Sequence, residues 1–430
     1  MSGDFFAVAV AGGILAFLTP CVFPMLPVTL AYFGKGSGPT PSRSRAGWFA
    51  FGIISSFTVL GIAIAVVFGA SGVARFAANP KVNVALAAIF IFFALNLFGF
   101  FELPIPSSWM TRAVKSTQDT NARTPGGAAL LGAVFALTSL TCTAPFVGSL
   151  LVMAARGERT LPFTGMLLFS AAFALPFYLL ARAPRLLDRL PKAGEWIHAL
   201  RVCVGFVELA AAVKFIANAD VVSNWGVVTR PFVLVSWAAL SLALVIYLAV
   251  RAARGFSRAA SAAAAVVFAG VTFALASAAR GKEVRVIEPY LPPVRTASAV
   301  ESGEQGQWIL NDLTKARAVA ARSGKLVFID FTGYTCTNCR WMESNIFSRR
   351  DVGAEMSRFV LARLYTDGEG KIYEDQQAFQ EKQFGTVALP LYAIVRADGT
   401  PLITKSGVTR DPREFIAFLR AAYSPIAAAR

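Results

Sequence analysis

The residues of this sequence with an evident capacity for chemistry are its five cysteines: Cys21, Cys142, Cys203, Cys336 and Cys339. The last two form Cys336-Thr337-Asn338-Cys339, six residues after Asp330 and just after the apolar run KLVFIDF. A CxxC where a strand passes into a helix is a redox motif. The helix N-terminus favours a thiolate on the first cysteine, and the second closes a small disulfide by attacking a mixed intermediate. A zinc site is the other use of a CxxC, but zinc needs further ligands. The single histidine is His198, and no other cysteine lies in residues 307–430, so no metal is expected here.

Two other cysteines share a different setting. LTPCVFPMLP (residues 18–27) places Pro20, Pro24 and Pro27 around Cys21 inside a long apolar run. Each proline removes a backbone donor and clashes one turn back, so the run cannot be an ordinary helix. GGILAFLTPCVFPMLPVTL and GAVFALTSLTCTAPFVGSLL both have glycine eight to ten residues before a cysteine, and both continue Cys-x-x-Pro: Cys21 to Pro24, Cys142 to Pro145. Prolines are tolerated in a membrane helix where the freed backbone lines a cavity or meets protein. The break would open the helix where a thiol must be reached. A lone cysteine in an apolar helix is ordinarily a small packing residue, and Cys203, with no proline context, keeps that reading. For Cys21 and Cys142 the matched contexts and the CxxC elsewhere in the chain outweigh it.

The elements that must hold these residues follow from composition. Of 430 residues 56% are hydrophobic and 15% charged, the balance of a membrane protein. The net charge of +16 would point to nucleic acid in a soluble protein, but residues 301–430 carry only +2 of it and the first 300 carry +14. There the basic residues sit in short loops between apolar runs, so no nucleic-acid partner is expected. Eight stretches have membrane length: roughly 5–33, 47–74, 83–101, 127–155, 161–181, 199–218, 231–250 and 259–279. The first is not a cleavable leader, because MSGD lacks a basic start and the run is too long. Loops 34–46, 102–126, 182–198 and 251–258 hold 13 Lys and Arg; the opposite set holds 8, counting Arg280, Lys282 and Arg285. The first set is expected in the cytoplasm, with both termini outside. Cys21 and Cys142 then fall in spans one and four, in opposed orientations, which marks an inverted repeat of spans 1–3 and 4–6 with the working groups near the midplane. Glu208 and Lys214 in span six are costly in lipid and candidates for function by default, but six residues apart they share a helix face poorly and stay unassigned.

After residue 280 the character changes. Residues 1–280 are expected to form the membrane domain, 281–306 a Pro-, Ser- and Gly-containing linker, and 307–430 a compact α/β domain. In the last, NDLTKARAVAARSGK reads as a helix stopped by Gly324, KLVFIDF as a buried strand, and a helix follows from Cys336. PLYAIV and PLITKSG read as strands about a RADGT turn, and a closing helix begins at Asp411-Pro412.

KLVFIDFTGYTCTNC, followed later by VALPLYAIV, resembles the thioredoxin fold. The resemblance implies that Asp330 assists proton transfer at the second cysteine. It also implies that Pro390 is a cis-proline packing on the disulfide and pairing with substrate backbone. The sequence departs from that pattern at Thr335, where tryptophan is usual, and in its Thr-Asn dipeptide, so a reduction potential does not carry over. The two membrane cysteines, FGFFELP after span three, the eight spans and the terminal domain together resemble the DsbD family of transmembrane thiol–disulfide reductants; the related CcdA proteins, of cytochrome c biogenesis, lack the terminal domain. DsbD proteins usually begin with an exported immunoglobulin-like domain, whereas this sequence starts at the first apolar span.

The resemblance implies a multi-pass protein of the bacterial inner membrane with its thioredoxin-like domain in the periplasm. Cytoplasmic thioredoxin would reduce Cys21–Cys142, that pair would reduce Cys336–Cys339, and Cys336 would pass electrons to exported disulfide proteins, with no flavin, haem or metal. Pro20, Pro24 and Pro145 would shape the membrane site. Two rivals come from other classes. A transporter with a fused redox domain also has inverted repeats and broken helices, but it calls for a polar midplane, whereas spans one and four offer mainly thiols, Thr and Ser. A membrane-anchored exported oxidase would need neither Cys21 nor Cys142, so cysteine-to-serine changes separate all three readings.

Overall fold

The computed structural model describes residues 2–17, 42–100, 125–137, 139, 161–182, 194–254, 258–282, 284, 286–292 and 308–423. Its membrane-domain helices are α1 (Ser2–Phe17), α2 (Ser42–Ala78), α3 (Pro80–Leu97), α4 (Pro125–Leu137), α5 (Leu161–Arg182), α6 (Gly194–Ser223), α7 (Arg230–Ala253) and α8 (Arg258–Ala279). Four helical stretches among the described residues are long and apolar enough to cross a bilayer: Ser44–Ala63 within α2, and α3, α7 and α8. Every expected span thus coincides at least partly with a helix, while the spanning length of the others is not shown. The long apolar faces left exposed, such as Val266, Val267 and Phe273 on α8, suit lipid, which does not penalise exposed hydrocarbon.

The chain divides into two compact units, one of Met1–Val73, Ala85–Ala212 and Ala243–Phe268, the other of Ala74–Val84, Val213–Leu242 and Ala269–Arg430. The first has an aromatic core of Phe49, Phe57, Phe135, Phe169, Phe173 and Phe177, mostly in edge-to-face or tilted pairs 4.9–6.2 Å apart. Glycines let its helices approach. A Cβ on Gly13 of α1 would lie 2.4 Å from the Phe169 carbonyl oxygen of α5, and one on Gly132 of α4 would lie 2.2 Å from the Phe49 carbonyl oxygen of α2. With nothing like the hydrophobic effect acting between helices in lipid, such close packing is what holds them together. The contacts are reciprocal: first element on fifth, fourth on second.

In the second unit, the stretch expected to be linker is partly built in. Glu288–Tyr290 form a single 3-10 turn whose Glu288 pairs with Arg230, and Leu291 is buried with Val233, Leu234 and Leu275. The short apolar run Val284, Ile287, Leu291 is too brief to show a period in the sequence, yet it packs beside the helix ends.

The C-terminal α/β fold runs β1 (Ile309–Leu310), α9 (Leu313–Ser323), β2 (Val327–Thr332), α10 (Thr337–Met342), a π turn (Glu343–Phe347), α11 (Arg350–Met356), β3 (Val360–Tyr365), α12 (Lys371–Phe384), β4 (Leu391–Val395), β5 (Pro401–Ser406) and α13 (Pro412–Ala421). The sheet order is β1-β3-β2-β4-β5, with β1, β3 and β2 mutually parallel, β4 antiparallel to β2, and β5 antiparallel to β4. β2 is central and wholly buried. Its Val327, Ile329 and Phe331 enter one core, with Ala316 and Ala320 of α9, and Phe328 enters the other, with Phe347, Tyr392 and Phe415. Expected ends are found where their chemistry put them: Gly324 closes α9 at φ +67°, and Asp411 caps α13 with Pro412 at its first position. β1, α11, β3 and α12 lie outside the elements expected from the sequence. β1 has two residues, and β3 carries a basic residue in an otherwise apolar strand.

Candidate redox site

β2 ends at Thr332, and the chain crosses a three-residue loop, Gly333–Thr335, to reach Cys336. Cys336 caps α10 with extended backbone, and its sulfur accepts from the Cys339 amide at 3.1 Å. The two cysteines are joined in a disulfide with Cα atoms 5.3 Å apart. Cys336 is partly exposed and Cys339 is 2% exposed, so an incoming thiol meets Cys336 first. The geometry leaves the outer sulfur open to exchange and keeps the inner one enclosed.

Beside the disulfide segment runs a line of charge, buried at Asp330 and Arg340 and half-buried at Arg363 and Glu343. Asp330 on β2 stands in register with Arg363 on β3 and pairs with it at 2.9 Å. Arg363 reaches Glu343 at 3.3 Å, Glu343 reaches Arg340 at 2.8 Å, and Arg340 donates to the Thr332 hydroxyl at 3.2 Å. Two carboxylates and two guanidiniums balance, which lets four charges share an apolar site. Arg363 also stacks over Trp308, 4.2 Å from the ring centroid. Burial pushes the Asp330 carboxyl up to about 6, and Glu343 adds to the rise while Arg363 and Arg340 oppose it. The ion pair alone would lower it, so desolvation prevails at this fully enclosed group.

Pro390 precedes β4 in a cis Leu389–Pro390 peptide, and β4 pairs with β2 so that Tyr392 faces Asp330. Asp330, Cys336, Cys339 and Pro390 therefore belong to one end of one sheet. Cys21, Cys142, Pro20, Pro24 and Pro145 lie outside the described residues. Cys203 is a free, partly exposed thiol on α6. Glu208 is fully buried on the α6 stripe with Val202, Gly205 and Ala212, and its carboxylate has no hydrogen-bond partner among the described residues.

Four polar residues of the site escaped the sequence: Arg340, Glu343, Arg363 and Asp367. Arg363 left a signal, since LARLY interrupts an apolar strand with a cation that must be paired if buried. Glu343 and Arg340 look like an exposed i,i+3 helix pair, and nothing local marks them as enclosed.

A disulfide capping a short helix beside a buried acid, on a mixed sheet of this order, defines a thioredoxin-like thiol–disulfide domain, here joined to a bundle of apolar helices. Comparison with known families agrees on both halves. The model of the cytochrome c biogenesis protein transmembrane domain matches residues 4–219, and a thioredoxin-like model matches residues 308–397. The chain belongs to that transmembrane family, as a multi-pass membrane protein. It is 30% identical over 366 residues to the thiol:disulfide interchange protein DsbD 2 of Pseudomonas aeruginosa, covering 82% of this chain and 60% of that one. To the thiol:disulfide interchange protein DsbD of Ralstonia nicotianae it is 26% identical over 427 residues, 95% of this chain and 67% of that one. The DsbD of Cronobacter sakazakii is 30% identical over 363 residues, 81% of this chain and 58% of the relative. The chain thus spans about three fifths of the length of most of these relatives.

Proposed function

We propose that this protein is a protein-disulfide reductase that carries electrons across the bacterial inner membrane by successive thiol–disulfide exchange. The single observation that carries the reading is the Cys336–Cys339 disulfide, outer sulfur reachable and inner sulfur enclosed, in a chain of this transmembrane family. The relatives' name, thiol:disulfide interchange protein, supports it.

In this reading a thiolate of reduced cytoplasmic thioredoxin attacks the Cys21–Cys142 disulfide. One S–S bond breaks, a mixed disulfide forms, and thioredoxin's second thiol resolves it, leaving oxidised thioredoxin and two membrane thiols. Those thiols attack Cys336–Cys339 in the same way. Cys336 then attacks the disulfide of an exported protein, and Cys339 expels the reduced product and restores the disulfide. Two electrons and two protons move per cycle, with no flavin, haem or metal in the chain. Asp330, charging near pH 6, takes the Cys339 proton as that thiol attacks. Pro390 lines the edge where substrate backbone pairs, and Pro20, Pro24 and Pro145 open the helices around the membrane pair. Thioredoxin, at about −270 mV, lies below an oxidising periplasm and drives the flow outward.

The test is the redox state of Cys336–Cys339 in cells, read by thiol alkylation. It should be mostly reduced, and Cys21→Ser or Cys142→Ser should leave it oxidised, while Cys203→Ser changes nothing. Should the pair stay reduced without Cys21, the relay is wrong. Disulfide mapping should find Cys21 joined to Cys142, with Cα atoms within roughly 4.4–6.8 Å.

A further inference from the structure

Asp367 sits two residues beyond the end of β3, where the Thr366 amide donates to the Thr332 carbonyl at 3.0 Å and ties the ends of β3 and β2 together. That tie brings the Asp367 carboxylate beneath the loop that delivers Cys336. One oxygen accepts from the Tyr334 amide at 2.6 Å; the other accepts from the Thr335 amide at 2.9 Å and the Thr335 hydroxyl at 2.8 Å. Asp367 is 8% exposed, so these bonds are made largely out of water. Bonds to an ionised acceptor are roughly twice as strong as neutral ones. Gly333 fits the same arrangement, since a Cβ there would lie 2.6 Å from the Asp367 carboxylate. On the far side Tyr334 stacks on Tyr365, with ring centroids 4.0 Å apart and planes at 11°.

We propose that Asp367 is a positioning residue of the redox site: it clamps Tyr334 and Thr335 so that the Cys336 sulfur stays aimed at the Cys339 amide, and the Thr335 hydroxyl is the side-chain half of the clamp. A sulfur held against an N–H donor is better stabilised as thiolate, and the reduced dithiol with it. A loosened loop lets the sulfur leave that donor, which makes the thiolate costlier and tips the pair toward disulfide. The inference rests on the exchange chemistry proposed above, but its readout needs no membrane relay.

The experiment uses the full-length protein in detergent. Equilibration with glutathione gives the Cys336–Cys339 redox equilibrium, and iodoacetamide labelling of the reduced protein, mapped to the Cys336 peptide, gives the pH at which that thiol ionises. Thr335→Val keeps the Asp367 charge and removes one donor. It should raise the ionisation pH of Cys336 and shift the equilibrium toward disulfide by up to about fivefold, the ceiling set by one hydrogen bond that matters more in the reduced form. Thr335→Ser should restore both, and in an Asp367→Ala background Thr335→Val should add nothing. A Val variant indistinguishable from the unchanged protein, a Ser variant as impaired as Val, or an undiminished Val effect without Asp367 would overturn the clamp. If Asp367→Ala does not accumulate as folded protein, the contrast between Val and Ser at 335 decides the matter alone. Variants that show the expected shifts here, with a failed relay in cells, would instead count against the transmembrane reading.

Discussion

Asp330 and Arg363 stand directly opposite each other on parallel β2 and β3, carboxylate to guanidinium at 2.9 Å, and the acid is still pushed up to about 6. Partner and burial pull in opposite directions, and burial wins. The carboxyl is thereby tuned to change charge near neutrality, where thiol exchange operates.

That tuning has a sign. The folded value lies above the ordinary 3.8, so the folded state holds the proton more tightly than the unfolded chain. The stabilisation from protonated Asp330 is complete below about pH 4 and is lost as pH rises through about 6. Thermal unfolding of the detergent-solubilised chain should show stability declining across that window, and Asp330→Asn should flatten the decline. The same variant should lose an inflection near pH 6 in the rate of mixed-disulfide resolution by Cys339. An unchanged inflection in Asp330→Asn would assign it to another group.

Tyr392 is fully buried between Phe328 and Phe415, and its hydroxyl has no hydrogen-bond partner among the described residues. An unbonded buried hydroxyl costs about 1–3 kcal/mol of desolvation. Tyr392→Phe keeps the ring and should leave the unfolding temperature of the domain equal or higher. A clear fall would mean that the hydroxyl has a partner in solution.

The glycine contacts predict a matched pair of defects. Gly13→Ala and Gly132→Ala each drive a methyl into a facing backbone carbonyl, and each should cost about 1–3 kcal/mol, read as early thermal unfolding or lost accumulation in the membrane. Gly47→Ala on the same α2 helix meets nothing within 4 Å and should be neutral or stabilising, since alanine favours helix over glycine by about 1 kcal/mol. Equal behaviour of all three would remove close approach as the reason for the glycines.

The basic bias of 13 against 8 predicts the side on which residues 281–430 lie. A reporter that works only outside the cytoplasm, fused after Arg430, should be active. Activity of a cytosol-only reporter at that position would place the CxxC on the donor side and reverse the proposed order of exchange.

What the sequence determined by itself was whatever is written locally. The CxxC beside a buried strand, the Gly324 stop, the Asp411-Pro412 start and the apolar runs each depend on a few adjacent residues and on backbone rules that hold in any context. Gly13 and Gly132 were visible as part of the matched contexts before Cys21 and Cys142, but their role in helix approach was not. Tertiary structure alone decided the enclosure of charge. Arg363 lies 33 positions from Asp330 in the chain, and Asp367 lies 32 from Thr335, yet both pairs meet because β3 runs parallel beside β2. A parallel pairing needs a long crossover, so its register is set by the core packed on both faces of the sheet, not by any stretch of sequence near either residue. The acid that titrates and the clamp that aims the thiol are products of that register.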